Sequence, residues 1–136
     1  MLQFPYYAQQ TGNSQHDYVL WASGNVLIEF GASGNTDLRI RWNLDGTWRN
    51  THIVNNVLDI GTWHHWAFTF DQGITTVYKD GLEIYSGSDS QTSISTNSPD
   101  YCIGYRDGAG GFDGTLDDIR IYDRALSETK IQTLAF

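Results

Sequence analysis

The amino-acid sequence predicts an all-β protein, an antiparallel two-sheet jelly-roll sandwich with one short C-terminal helix. Three observations predict this fold class. Apolar and polar residues alternate with a period of two along several segments, as they do in half-buried strands. Turn-forming dipeptides separate these segments, and only one stretch near the end of the chain has helical periodicity. Many short strands joined by frequent turns are typical of two-sheet β proteins.

The alternation is clearest in two segments. Residues 38–44 have one apolar face, which comprises Leu38, Ile40, Trp42 and Leu44. Their other face is polar and comprises Arg39, Arg41 and Asn43. The second segment alternates the rings Trp66, Phe68 and Phe70 with His65, Ala67 and Thr69. Since successive strand residues point to opposite faces, we expect the three rings in the core and the residues between them outward.

Other segments rich in β-branched and aromatic residues are also predicted strands, at 18–22, 26–31, 74–80, 82–86, 101–105 and 115–122. Asp45-Gly46 and Asp80-Gly81 predict tight hairpins, because both residues of each pair accept positive φ. Residues 86–98 are predicted to form a surface loop. A helix is predicted over 127–134, with Ser127 as its N-cap and Ile131 and Leu134 on one face.

Length, charge and composition exclude several classes of protein. The 136 residues suit one domain, spanning 1–136. The net charge of −8 argues against nucleic acid as a partner, because its phosphates would be repelled. No apolar run approaches the roughly 18 residues of a membrane span, so we expect no membrane insertion, and no signal peptide is visible. The single cysteine, Cys102, excludes an intrachain disulfide.

The acidic residues favour binding rather than catalysis. Paired carboxylates two residues apart on one strand would suit glycoside hydrolysis, but none of the three glutamates has such a partner. Asp117 and Asp118 are adjacent and would point to opposite faces. We therefore expect no catalytic residues. The aspartates late in the chain predict either a solvated acidic edge or a calcium site.

Three segments, 63–71, 77–81 and 112–127, together resemble laminin G-like domains of the concanavalin A-like lectin/glucanase superfamily. The resemblance covers roughly residues 18 to 134. It implies a curved jelly roll that binds carbohydrate or protein, and a location outside the cell or on a cell or virion surface. It also implies calcium, for which Asp107, Asp113 and Asp117 are the candidate ligands; Asp117 matches a hallmark position of the family. Hydrogen bonding of Asp117 to a neighbouring loop is the alternative.

The front of the chain is short for this family. Either residues 2–7 supply a substitute strand, or a sheet edge stays open. An open edge presents unpaired backbone groups and invites pairing with another chain. We therefore expect a homodimer through a sheet edge in the second case.

The candidate ligand-binding residues are Arg39, Arg41, Trp48, His65 and Tyr105. Trp48 follows a hairpin and is a candidate exposed ring for stacking on a sugar, although it could also pack onto the sheet. The two arginines could fork onto glycan hydroxyls or an acidic sugar. His65 is either a ligand contact on an exposed sheet face or a hydrogen-bonding imidazole without a ligand.

These residues predict a non-catalytic, lectin-like recognition module for carbohydrate. The alternative is a structural or protein-interaction domain of a surface or phage protein that assembles through a sheet edge. A third alternative is a degenerate glycan-active enzyme. The partner is accordingly a glycan or a surface protein.

Overall fold

A computed structural model describes residues 6–10, 17–22, 24–31, 36–95, 100–106 and 108–136. These residues form twelve β-strands and one α-helix. The strands are β1 (Tyr6–Gln10), β2 (Asp17–Ala22), β3 (Val26–Phe30), β4 (Leu38–Leu44), β5 (Thr47–Val54), β6 (His64–Asp71), β7 (Ile74–Lys79), β8 (Leu82–Ser88), β9 (Cys102–Ile103), β10 (Tyr105–Arg106), β11 (Gly110–Gly111) and β12 (Gly114–Asp117). The helix is α1 (Glu128–Leu134).

The chain divides into two compact units. The first contains the described residues of Met1–Gln9 together with Thr62–Thr92 and Thr115–Phe136. The second contains the described residues of Gln10–Gly61 and Ser93–Gly114. Each unit holds one five-stranded sheet, so the predicted all-β class is confirmed. That one domain spans 1–136 stays a prediction.

The sheet of the first unit has the strand order β12-β1-β6-β7-β8. Strands β6, β7 and β8 form an antiparallel meander joined by two tight hairpins. The turn residues Gln72-Gly73 have φ of 47° and 86°, and Asp80-Gly81 have 51° and 79°. Positive φ at both central residues matches the right-handed twist of the flanking strands. The hairpin predicted at Asp80-Gly81 is confirmed.

Both faces of β6 are buried. Trp66, Phe68 and Phe70 expose 1%, 0% and 3% of their surface, as their spacing predicts. On the opposite face Ala67 packs with Tyr78 and with Ile131 of α1. The expectation that this second face points outward is therefore wrong, because the helix covers it. A period-two pattern reports alternation but does not say whether the second face meets water or another element.

The helix confirms the sequence prediction. Ser127 has extended φ and ψ, and its hydroxyl accepts a hydrogen bond from the Lys130 N–H at 3.4 Å. That bond satisfies one of the N–H groups left without a partner in the first turn. Ile131 is fully buried and fastens the helix to the sheet.

The sheet of the second unit has the order β5-β4-β3-β2-β9, and β10 and β11 form a separate two-stranded ribbon. In β4 the apolar residues Leu38, Ile40, Trp42 and Leu44 expose no more than 1% each. Arg39 and Arg41 between them are half-buried. The predicted alternation of this strand is thus confirmed, as is the hairpin at Asp45-Gly46, whose φ values are 53° and 76°.

The structure differs from the predicted strands in four places. The strand predicted over 115–122 ends at Asp117, because Asp118 adopts a positive φ of 51°. The strand predicted over 101–105 is interrupted by Gly104, whose φ is 67°. Strand β5 was not predicted, although the hairpin before it requires a partner for β4. Strand β8 extends two residues beyond the predicted strand, to Ser88, which lies in the predicted loop.

Of the substitute strand predicted at 2–7, residues 6 and 7 belong to β1, and residues 2–5 lie outside the described residues. Strand β1 lies between β12 and β6, with Tyr6 opposite Trp66. The edges of this sheet are therefore β12 and β8, and dimerisation through an edge stays a prediction. Among the described residues, no helix has the length and apolar character to cross a membrane.

Gly73 allows a direct test of this packing. Its φ is +86°, and a Cβ there would lie 2.7 Å from the backbone oxygen of Asp89 and 2.9 Å from that of Gln91. Gly46 occupies the same position of a similar hairpin at φ +76°, with nothing within 4 Å. Gly46→Ala should cost about 1–2 kcal/mol through backbone strain alone.

We expect Gly73→Ala to lower the free energy of unfolding by at least about 1 kcal/mol more than Gly46→Ala, because the added methyl meets backbone that cannot swing away. Urea unfolding followed by tryptophan fluorescence measures the difference. Equal losses in the two variants would contradict the close approach of Gly73 to residues 89 and 91.

Candidate functional site

A register shift places two aromatic residues of β2 on one face. Tyr18 lies opposite Glu29, whereas Leu20 lies opposite Ile28, so one extra residue of β2 is accommodated between them. Such a bulge changes the phase of side-chain alternation. Tyr18 and Trp21 therefore share a face although they are three residues apart.

A second register shift places Trp48 on this same face. Asn43 lies opposite Trp48, whereas Arg41 lies opposite Thr51, so β5 carries one extra residue in this stretch. Residues directly opposite each other in a ladder share a face. Trp48 therefore shares the face of Arg41. Trp21 belongs to this face too, because it lies opposite Leu27, which lies opposite Arg41.

The aromatic and cationic side chains of this face contact one another in series. The rings of Trp21 and Trp48 stack with centroids 5.6 Å apart and planes 12° apart. The Arg41 guanidinium lies 5.6 Å from the Trp48 centroid, and that of Arg106 lies 4.4 Å from Trp21 and 5.3 Å from Tyr18. Arg106 also donates a hydrogen bond from Nη1 to Tyr18 Oη at 3.3 Å. We call Tyr18, Trp21, Arg41, Trp48 and Arg106 the arginine–tryptophan cluster.

The stacked pair spans the middle of the sheet. Strands β2 and β5 are separated by β3 and β4, which places their backbones about 14 Å apart at ordinary strand spacing. The two indole rings meet only because both lean inward over the central strands. Both rings are half-buried, so they remain open to solvent in part.

A buried ion pair lies beside the cluster. Glu29 of β3 faces Arg39 of β4, and the two side chains form an ion pair. The glutamate is fully buried, and the arginine exposes 23% of its side chain. Burial lowers the pKa of Arg39, and the nearby positive charges of Arg41 and Arg106 act in the same direction. Since an arginine stays protonated in proteins, the three neighbouring guanidinium groups keep their charges, and their mutual repulsion raises the free energy of the folded state.

Two guanidinium donors of this face are not used within the described part of the chain. The Nε–H groups of Arg39 and Arg41 are buried and have no hydrogen-bond acceptor there. An unused buried donor costs about 1–3 kcal/mol. The folded domain bears this cost itself, because a buried N–H group is not accessible to a ligand at the surface.

Of the five candidate ligand-binding residues, the structure brings three together: Arg39, Arg41 and Trp48. Tyr105 is 47% exposed in β10 and precedes Arg106. His65 belongs to the first unit and exposes 1% of its surface, so it is not part of this face. Sequence reasoning missed the remaining cluster members, Tyr18, Trp21 and Arg106. Only Arg106 had a visible signal, as one of two bases within the acidic stretch.

The backbone of His65, rather than its imidazole, contacts the hairpin at Asp80-Gly81. Its backbone N–H donates to Asp80 Oδ1 at 2.9 Å, and the other carboxylate oxygen lies 2.7 Å from Nδ1 of His64. Asp80 therefore ties its hairpin to the start of β6. Burial lowers the pKa of His65 and outweighs the opposite effect of the Asp80 and Asp118 carboxylates.

The candidate calcium ligands are not brought together by what the structure describes. Asp117 is exposed, and its Oδ1 accepts a hydrogen bond from the Asp118 N–H at 2.8 Å. The alternation of Asp117 with Ile119 and Ile121 in the sequence would place it on a buried strand face, but Ile121 is 46% exposed. Asp113 is exposed too, and Asp107 lies outside the described residues. No group of three or more His, Cys, Asp or Glu residues in the described ranges could hold a metal ion. Calcium binding stays a prediction.

A family model described as the concanavalin A-like lectin/glucanases superfamily, and named for laminin G domains, matches residues 6–132. The chain belongs to this superfamily. The resemblance inferred from the three sequence segments is thereby confirmed. No curated protein sequence matches this superfamily member significantly.

Solved structures share the fold of this concanavalin A-like domain at low sequence identity. A candidate carbohydrate-binding protein from Bacteroides ovatus has a TM-score of 0.80 at 17% identity, over 96% of this chain and 39% of that one. Domain 4 of the extracellular arabinanase AbnA from Geobacillus stearothermophilus, in complex with arabinotriose, has a TM-score of 0.80 at 22% identity. The match covers 99% of this chain and 66% of that one. The CBM40 of the Ruminococcus gnavus IT-sialidase has a TM-score of 0.77 at 14% identity, and the match covers 99% of this chain and 82% of that one. The chain thus spans less than two thirds of the first two.

The buried ion pair predicts a large effect of removing one charge. Glu29→Gln keeps the shape of the side chain but leaves Arg39 beside two other arginines without its counter-charge. We expect the free energy of unfolding to fall by roughly 1–3 kcal/mol, less than for a fully buried pair because Arg39 is partly solvated. Chemical unfolding measures the change, with the exposed Glu83→Gln as control. A loss no larger than in that control would contradict a structural role for the pair.

The lowered pKa of His65 predicts acid sensitivity. Because folding lowers this pKa below its ordinary value of 6.5, the unfolded state binds the proton more readily. Stability is therefore complete above about pH 6.5 and falls as the pH drops from there toward the lowered pKa. Urea unfolding at several pH values between about 7.5 and 5 measures this slope. We expect His65→Gln to flatten this slope; an unchanged slope in His65→Gln would assign the acid sensitivity to other groups.

Proposed function

We propose that this protein is a non-catalytic carbohydrate-binding module whose ligand contacts the arginine–tryptophan cluster. The observation that carries the proposal is the half-buried pair of stacked tryptophan rings with guanidinium groups at its sides, all on one sheet face. A sugar has apolar C–H faces and polar hydroxyls around its rim. Aromatic surface suits the first, and fixed donors beside it suit the second.

The likeness to known structures supports a binding role. The neighbouring folds include a candidate carbohydrate-binding protein, an arabinanase domain in complex with arabinotriose and a CBM40 bound to α2,3-sialyllactose. At identities of 12% to 22% these structures share the scaffold rather than the site. These likenesses therefore do not locate the sugar-binding residues, and the proposal for the arginine–tryptophan cluster rests on the contacts within this chain.

The chemistry of this face favours binding over catalysis. Hydrolysis of a glycosidic bond needs two carboxyl groups placed on either side of the bond. Among the described residues of the face, Glu29 is the carboxylate, and it is fully buried and paired with Arg39. A carboxylate held in this way is not available to donate or accept a proton from a substrate.

Such a module acts through modest affinity multiplied by attachment. A shallow, partly exposed face binds one sugar weakly, and linkage to other binding units raises the effective concentration. We therefore propose that the domain works as part of a larger assembly outside the cell or on a surface. The fraction of the neighbouring chains that it spans, 39% and 66%, agrees with a modular role.

Loss of the Trp48 ring or of the Arg41 cation should weaken glycan binding. On a glycan array we expect Trp48→Ala and Arg41→Ala each to weaken binding by about tenfold or more, because each removes a stacking or hydrogen-bonding group of the face. Trp63→Ala and Arg124→Ala are matched controls, since both side chains are exposed in the first unit. Circular dichroism verifies that every variant is folded. Wild-type binding in both cluster variants would refute this location for the site.

A further inference from the structure

We propose that the sugar recognised by the arginine–tryptophan cluster carries a carboxylate, as uronic and sialic acids do. This inference rests on the proposed function and names the chemical class of its ligand. Two features of the face carry it, the local excess of positive charge and the placement of the guanidinium groups next to the stacked rings.

The charge of this face is opposite to that of the whole chain. The protein has 8 Lys and Arg residues against 16 Asp and Glu, for a net charge of −8. Yet on this face the charges of Arg41 and Arg106 both act on Arg39, and among the described residues the carboxylate paired with Arg39 is Glu29. Since that glutamate neutralises one guanidinium, two positive charges remain uncompensated within the described part of the face.

Leaving these charges together has a cost that a ligand can remove. Repulsion and partial burial both disfavour three neighbouring guanidinium groups, and they already lower the pKa of Arg39. A neutral sugar would bury the arginines further without returning any charge. A carboxylate would supply the missing counter-charge and oxygen acceptors, so binding an acidic sugar relieves the repulsion that a neutral one increases.

The geometry of the arginines suits a planar anion. Arg39 and Arg41 are two residues apart on β4 and share a face, which places their Cα atoms about 7 Å apart. A guanidinium presents parallel N–H donors that match the two oxygens of a carboxylate. Arg39 exposes 23% of its side chain and Arg41 is half-buried, so part of each arginine side chain is open to solvent.

The stacked rings lie beside these donors. Trp48 is in direct contact with Arg41, and Trp21 with Arg106. A pyranose packed against the indole edges would hold a carboxylate substituent within reach of a guanidinium. The one cluster thus contacts both parts of an acidic sugar, its ring and its charge, whereas a free inorganic anion would use only the arginines.

Matched pairs of ligands test this inference. Isothermal titration calorimetry compares polygalacturonate with the same polymer after reduction of its carboxyl groups to alcohols, and sialyllactose with lactose. We expect at least one acidic member to bind about tenfold or more tightly than its neutral partner. Preference in the first pair alone identifies uronic acids, and preference in the second alone identifies sialic acids; each supports the inference.

Variants separate charge from shape. Arg41→Gln should bring the affinities for the acidic and neutral members close together, and Arg39→Lys, which keeps the charge but loses the fork, should lower the preference less. Trp48→Ala should weaken both members, and Arg124→Gln, an exposed arginine of the first unit, should change neither.

Two outcomes overturn different parts of the argument. Equal binding of acidic and neutral members, or a preference that survives in Arg41→Gln, refutes the carboxylate inference but leaves a carbohydrate-binding module. Absence of binding to all four ligands and to the glycan array refutes the proposed function itself. Binding of galacturonate monomer no tighter than that of acetate would show that the arginines attract any small carboxylate, and would also refute recognition of a sugar.

Discussion

The register between β3 and β4 is the constraint on which the second unit depends. It places Glu29 opposite Arg39 and leaves Leu38, Ile40, Trp42 and Leu44 buried on the other side. A slip of one residue would bury the arginines and expose that apolar row. The ion pair therefore adds specificity to a register that the apolar row already favours, because a displaced Glu29 would be a buried charge without its partner.

The same register produces a face on which apolar burial is favourable and the repulsion between neighbouring arginines is unfavourable. Leu27 is buried and Trp21 stacks on Trp48 over the central strands, while the charges of Arg41 and Arg106 both act on Arg39 of the same face. Cation–π contacts, worth about 0.5–2 kcal/mol each, offset part of the cost of crowding these charges. Cation–π contacts do not neutralise the positive charges of the arginines. A face that is stable alone and still electrostatically unsatisfied is what a recognition surface for an anion requires.

Local signals predicted much of the fold. The alternation in β4 and β6, the hairpins at Asp45-Gly46 and Asp80-Gly81, and the cap of α1 by Ser127 depend on neighbouring residues only, and the structure has all of them. The strand predicted over 115–122 was too long. Its residues have a high β propensity, but Asp118 adopts a left-handed backbone conformation that ends the strand. Strand β5 was missed because its bulge interrupts the period-two pattern on which prediction relies.

The sequence by itself determined the fold class, the family and the polar face of β4 with Arg39 and Arg41. Only the tertiary structure decided which other side chains join that face. Tyr18 and Arg106 are 88 positions apart, and no local pattern connects them. Bulges in β2 and β5 turn Trp21 and Trp48 toward each other, and α1 buries the face of β6 that carries His65. Alternation along a strand is a local property, whereas the phase shift at a bulge and the covering of a face are set by the strands and helix that pack nearby.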